Sequence, residues 1–111
     1  MTINEYQQEA MRTASGMNYE NNCEISLMLL NGVMGLNGES GECIDILKKA
    51  LFQGHELDTE HLAEELGDVA WYLAVSAQAL GCTLEDIMQM NVDKLRKRYP
   101  AGFSSDRSVN R

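Results

Sequence analysis

The sequence predicts an all-α fold, a bundle of one short helix and three longer ones. Only one proline, Pro100, occurs in the 111 residues, so little in the chain interrupts a helix. Apolar residues recur at helical spacing along most of the length, and the alternation of β-branched residues that is typical of strands is absent. Residues that cap helices precede three of the periodic segments: Thr2, Asp58 and Thr83.

The first half of the chain predicts a short helix and a long one. Thr2 and Glu5 form a capping box, which begins a helix that reaches Thr13 and is followed by a polar connection at 16–22. From Cys23 onward, apolar residues mark one helix face that we expect to be buried, at positions 25, 28, 29, 33, 36, 44, 47 and 51. Three glycines weaken the middle of this helix and predict a kink, a break or a close backbone approach there: Gly35, Gly38 and Gly41.

The second half predicts two more helices and a tail. Asp58 caps a helix that spans about 59–80 and ends at Gly81. Thr83 caps another, which has acids in its first turn and a basic run at 94–98 in its last, as the helix dipole favours. Pro100 ends it. We expect one domain over 1–103 and an irregular tail over 104–111.

Composition and charge exclude several classes of protein. The sequence contains no membrane-spanning apolar run and no signal-peptide pattern, so we expect neither a membrane-spanning nor a secreted protein. The three cysteines have neither C-x-x-C nor zinc-ligand spacing, which predicts a reducing cytoplasm as the location. The net charge is −8, with six basic residues against one acid from Lys94 to Arg111 and therefore a strongly acidic body. We expect no nucleic-acid binding, because an acidic body repels the phosphate backbone and the basic run is local.

Two pairs of carboxylates provide the main chemical signal. Glu39 and Glu42 are three positions apart, as are Glu65 and Asp68, so each pair lies on one helix face and two antiparallel helices can bring all four together. Repulsion would raise their pKa values unless a cation binds, and hard oxygen ligands favour Mg²⁺ or Mn²⁺ over zinc.

These acids have two other interpretations. Most acidic pairs at this spacing lie on solvated helix faces, but Glu65 and Asp68 interrupt a helix that is apolar at 62, 66, 69 and 73, which favours a function. A di-iron carboxylate bundle needs Glu-x-x-His motifs. The sequence has none, since His55 and His61 follow Phe52 and Asp58 at that spacing.

At these residues the sequence resembles the MazG family of all-α nucleoside triphosphate pyrophosphohydrolases. The resemblance covers about residues 25–103 and depends on GLNGESGE at 35–42, EELGDVAWYL at 64–73 and N-x-x-K-x-x-x-R at 91–98. It implies a homodimer or homotetramer that hydrolyses an NTP or dNTP to the monophosphate and pyrophosphate, and so removes unwanted nucleotides. It also implies that Mg²⁺ binds the four candidate catalytic acids: Glu39, Glu42, Glu65 and Asp68.

Several other residues are candidates for substrate binding. Asn91, Lys94 and Arg98 share one helix face, from which the two cations would hold phosphates, and Lys48 would do so from the second helix. The alternative for the cations of the last turn is a partnership with the helix dipole. Asn91 falls on an apolar stripe, so we expect a buried partner for its amide. Trp71 would stack on a base, with core packing as the alternative.

The general base and the oligomeric state are also predicted. Glu64 or one of the four acids would accept the proton from the attacking water. Apolar residues at 27–34 and 73–90 exceed what four helices can cover, which predicts an oligomer. A catalytically silent nucleotide-binding or protein-interaction module is the alternative function, because a fold does not determine an activity.

Overall fold

The computed structural model describes residues 1–17 and 25–111, and these form five helices. They are α1 (Ile3–Met11), α2 (Leu27–Phe52), α3 (Thr59–Ala79), α4 (Leu84–Arg98) and α5 (Ser105–Val109). The predicted all-α fold is confirmed. The predicted start of the second helix at Cys23, and most of the connection before it, lie outside the described residues. In the part of the chain that is described, no helix is long and apolar enough to cross a membrane.

The predicted helix caps are formed. Thr2 Oγ1 accepts a hydrogen bond from the Glu5 amide at 3.1 Å, and the Glu5 carboxylate accepts one from the Thr2 amide at 2.7 Å. The side chains of Asp58 and Thr83 each accept from an amide three residues later, both at 3.0 Å. These bonds satisfy amides that have no partner within the helix, so each helix begins where the local sequence predicts.

Helices α2 and α3 are antiparallel and form the main helix pair. Gly32 and Gly35 of α2 lie against Ser76 and Tyr72 of α3: a Cβ at Gly32 would come within 3.3 Å of the Ser76 Cα, and one at Gly35 would overlap the Tyr72 ring. Helix α2 continues without a break through Gly35, Gly38 and Gly41. The glycines predicted a kink, a break or a close backbone approach, and the structure shows the last of these, where Gly35 lies against the Tyr72 ring.

A small core joins α1 to α3 and α4. It consists of Ala10, Ala74, Ala77 and Leu84, all of which are buried. Gln7 is a buried polar residue beside this core: its Oε1 accepts from the Leu84 amide at 2.6 Å, and its Nε2 donates to Gln78 Oε1 and to the Cys82 carbonyl. Gln7 thus links α1 to the connection between α3 and α4.

The prediction that the α2 stripe is buried is wrong for most of its length within one chain. Exposed members include Ile25, Val33, Ile44, Leu47 and Leu51, the last at 76%. The protected positions include 28, 29 and 36 of the stripe and, on the neighbouring face, 32, 39, 43 and 46. Apolar surface also remains uncovered on α3, at Leu66, Leu73 and Leu80. The reason is that, among the described helices, α2 packs extensively only on α3, which can cover only one of its faces.

The tail also differs from its prediction. Residues 105–109 form α5 instead of an irregular segment, with Ser104 as the N-cap. Arg107 Nε donates to the Arg98 carbonyl at 2.6 Å, which holds the tail against the end of α4. A helix of five residues is too short to show periodicity in a sequence, so this element was missed.

Candidate functional site

Three of the four predicted acids converge where α2 and α3 face each other. One carboxylate oxygen from each of Glu39, Glu65 and Asp68 lies within 4.8 Å of the other two. Glu39 and Glu65 are partly buried, and Asp68 is exposed. The register set by Gly35 and Tyr72, each about one turn away from an acid, brings these side chains opposite one another. The structure therefore forms an acidic cluster from residues that are far apart in sequence.

The surroundings of Glu39 disfavour its charged form. Desolvation raises the pKa of the Glu39 carboxyl, and a hydrogen bond with Glu65 and the charges of Asp68, Glu65 and Glu42 raise it further. A cation bound among these carboxylates would favour their charged forms and offset the repulsion. Three hard oxygen donors at this separation suit a divalent cation such as Mg²⁺.

The fourth acid, Glu42, lies at the edge of the cluster. Its side chain is exposed, and its oxygens fall outside the group of three that approach within 4.8 Å. Its charge still contributes to the raised pKa of Glu39. Glu42 also lines a cavity on the side of the cluster toward the end of α2, together with His61.

His61 contacts the cluster directly, a role that the sequence analysis missed. The side chain is at the surface near the start of α3, as expected, and its Nε2 donates to Glu65 Oε1 at 3.1 Å. This bond orients the Glu65 carboxylate toward the other acids. The separation of four residues between His61 and Glu65 on a helix was the signal that could have revealed it.

Lys48, a candidate phosphate ligand, is paired with another residue. Its Nζ lies 3.2 Å from Asp45 Oδ1, and Lys49 Nζ lies 2.7 Å from Asp45 Oδ2. The hydrogen bonds from Lys49 and Lys48 lower the pKa of the Asp45 carboxyl, and Asp45 in turn raises the pKa of Lys49. Asp45 would therefore compete with a phosphate for both ammonium groups.

The structure does not bring the candidate residues of α4 to the acidic cluster within one chain. Helix α4 packs on the other side of α3, where Met88 and Ala70 line a common apolar cavity with Tyr6. Among the described residues, no ion pair links Lys94 or Arg98 to an acid. Within one chain Asn91 is exposed, so the prediction of a buried partner for its amide does not hold there: Leu84 and Ile87 of its stripe are protected, but the stripe is uncovered further along the helix, at Met88 and Leu95.

Trp71 packs within the chain, and Tyr6 lies near the cluster. Trp71 Nε1 donates to Thr13 Oγ1 at 2.9 Å, and its ring makes an edge contact with Tyr72 while lying against the small core. Tyr6 Oη donates to the Gly67 carbonyl at 3.4 Å, next to Asp68. Burial, followed by the charge of Asp68, raises the pKa of Tyr6. No sequence motif identifies Tyr6, because it lies in α1, outside the segments that carry the carboxylate motifs.

The fold and the cluster define a class of all-α proteins in which two antiparallel helices bring carboxylates together. Residues 30–103, more than half of the chain, match the MazG nucleotide pyrophosphohydrolase domain. The chain belongs to this family, as the motifs around the four acids predicted.

Two curated proteins are similar to the chain. Gene 37 protein of Mycobacterium phage L5 is 38% identical over 82 residues, which cover 70% of this chain and 72% of that protein. The uncharacterized protein YvdC of Bacillus subtilis (strain 168) is 42% identical over 40 residues, covering 36% of this chain and 38% of that protein. No solved structure gives a significant match.

Proposed function

We propose that this protein is a Mg²⁺-dependent pyrophosphohydrolase that converts an NTP or dNTP to the monophosphate and pyrophosphate. The observation that carries the proposal is the convergence of Glu39, Glu65 and Asp68 in a chain of the MazG family. A triphosphate is highly anionic and would be repelled by these acids alone. A cation held between carboxylates and phosphates reconciles the acidic site with an anionic substrate.

The residues that would hold Mg²⁺ are Glu39, Glu65 and Asp68, with Glu42 beside them. When bound, the ion neutralises phosphate charge and lowers the pKa of the attacking water. The hydrogen bond from His61 holds Glu65 in position for this task. Glu64, exposed and adjacent to Glu65, is the candidate base that accepts the proton of the water.

The phosphates require cations, and we propose that Lys94 and Arg98 supply them from a second copy of the chain. In one chain these residues lie on a different side of α3 from the cluster, whereas the uncovered apolar residues of α2 and α3 would be buried in a homodimer or homotetramer. Lys48 would add a further cation if it leaves Asp45. Trp71 packs within the chain and is only partly exposed, so it would contact the base through the exposed part of its ring. Light scattering at micromolar concentration should show a mass above the 12.4 kDa of the monomer.

Release of pyrophosphate from a panel of NTPs and dNTPs, with and without Mg²⁺, tests the function. Glu65→Gln and Asp68→Asn should each lose most activity while keeping their helical circular dichroism. Glu60→Gln, on the same helix and exposed, is the matched control and should behave as wild type. Mg²⁺-independent turnover, or near-normal activity in both site variants, would refute the proposal.

A further inference from the structure

A cavity of about 400 Å³ lies next to the acidic cluster. It is enclosed by the second half of α2, the connection at 53–58 and the start of α3. Two of its lining residues connect it to the cluster: Glu42, whose charge acts on Glu39, and His61, which donates to Glu65. A ligand whose phosphates reached the cluster could therefore extend into the cavity, whose volume suits a nucleoside.

The charge of the cavity decides which end of a nucleotide it can accept. Its lining includes four carboxylates, those of Glu42, Asp45, Glu56 and Asp58, against the single ammonium of Lys49. That ammonium is neutralised by Asp45 at 2.7 Å. With Lys49 paired to Asp45, the remaining carboxylates of Glu42, Glu56 and Asp58 have no further lysine or arginine among the lining residues to balance them. The cavity therefore repels phosphate groups, whereas a nucleoside is neutral and carries hydroxyl and amino groups that can donate hydrogen bonds to carboxylates.

Two residues of the connection are placed to contact such a ligand. Gly54 takes a positive φ of 73°, and the His55 amide then donates to the Lys49 carbonyl at 3.2 Å, which anchors the connection to the end of α2. The side chains of His55 and Glu56 make no hydrogen bond or ion pair to any described residue, although both line the cavity. The backbone is held here while the side chains keep their hydrogen-bonding capacity for a ligand.

We infer that this cavity binds the nucleoside part of the substrate, with His55 and Glu56 as specificity-determining residues, while the acidic cluster receives the phosphates. The inference rests on the proposed function and extends it: the residues that select a base or sugar are those of the connection between α2 and α3. Glu56 would accept from a sugar hydroxyl or a base amino group.

Product inhibition separates the two ends of the substrate. Glu56→Ala and His55→Ala should each weaken inhibition by the nucleoside monophosphate about tenfold, the loss expected for one hydrogen bond, and leave inhibition by inorganic pyrophosphate unchanged. KM for the nucleotide should rise with kcat nearly constant. Glu60→Ala, an exposed glutamate near the start of α3 that does not line the cavity, is the matched control.

The opposite pattern would overturn the inference. Weaker inhibition by pyrophosphate alone would place the phosphates in the cavity, and unchanged inhibition by both products would show that the cavity does not take the substrate. If the wild type hydrolyses no nucleotide, the proposed function fails. Calorimetric titration of the wild type and the Glu56→Ala variant with nucleoside monophosphate in Mg²⁺ then tests the cavity by itself: equal affinities, or no binding, would refute it.

Discussion

Replacing Gly35 and Gly38 with alanine tests the helix packing that creates the acidic cluster. Both residues lie inside α2, where alanine is favoured over glycine by about 1 kcal/mol. Their surroundings differ, because a Cβ at Gly35 would overlap the Tyr72 ring, whereas a Cβ at Gly38 meets no atom within 4 Å. Gly35→Ala should therefore lack the stabilisation that the same substitution gives one helical turn away at Gly38.

The expected magnitude follows from two contributions. Gly38→Ala should stabilise the protein by about 1 kcal/mol, the helix-propensity gain alone. Gly35→Ala gains the same amount but forces Tyr72 out of its packed position, and overpacking of this kind costs about 1 to 3 kcal/mol. The propensity gain cancels in the difference between the variants, so Gly35→Ala should be less stable than Gly38→Ala by about 1 to 3 kcal/mol.

Urea unfolding monitored by circular dichroism measures this difference, at one fixed protein concentration because any assembly contributes to stability. Gly41→Ala is a second control, since a Cβ there also meets open space. Equal stabilisation of all three variants would refute the close approach of Gly35 to Tyr72. Destabilisation of Gly38→Ala to the level of Gly35→Ala would refute the open surface at Gly38.

Three other predictions concern the site and the core. Without metal, the raised pKa of Glu39 should make the wild type lose stability relative to Glu39→Gln as pH rises from the ordinary glutamate pKa to the raised value, because the unfolded chain releases that proton first. Mg²⁺ binding to the wild type should weaken as pH falls through the same window. Thermal melts measure the first trend and calorimetry the second, and the absence of both would contradict this prediction. Lys94→Ala should lower kcat/KM by about ten- to hundredfold if Lys94 holds a phosphate, with Lys97→Ala as control, whereas normal kinetics with a lower melting temperature would assign it to the helix dipole. Gln7→Ala should lower the free energy of unfolding by about 2 to 4 kcal/mol, since it removes three hydrogen bonds and leaves the Leu84 amide without its partner. Gln8 is exposed, so Gln8→Ala should cost under about 0.5 kcal/mol, and equal urea midpoints for the two variants would refute the bridging role of Gln7.

Local interactions made the helices predictable from the sequence. The caps at Thr2, Asp58 and Thr83 each depend on a hydrogen bond to an amide three residues away, so a short stretch of sequence is enough to place them. The two carboxylate pairs could be recognised for the same reason, because a spacing of three positions puts both side chains on one helix face in any fold.

The tertiary structure decided which of these residues meet. Helical periodicity shows that a face is apolar but does not identify its partner, and for this reason the stripe predicted on α2 proved largely exposed while the neighbouring face packs on α3. The register between the helices is set by a contact at Gly35 and Tyr72, residues 37 positions apart in the chain. That contact brings Glu39 to Glu65 and Asp68 and leaves Glu42 at the edge. Such a pairing depends on the shapes of two surfaces, which the spacing within either helix does not specify.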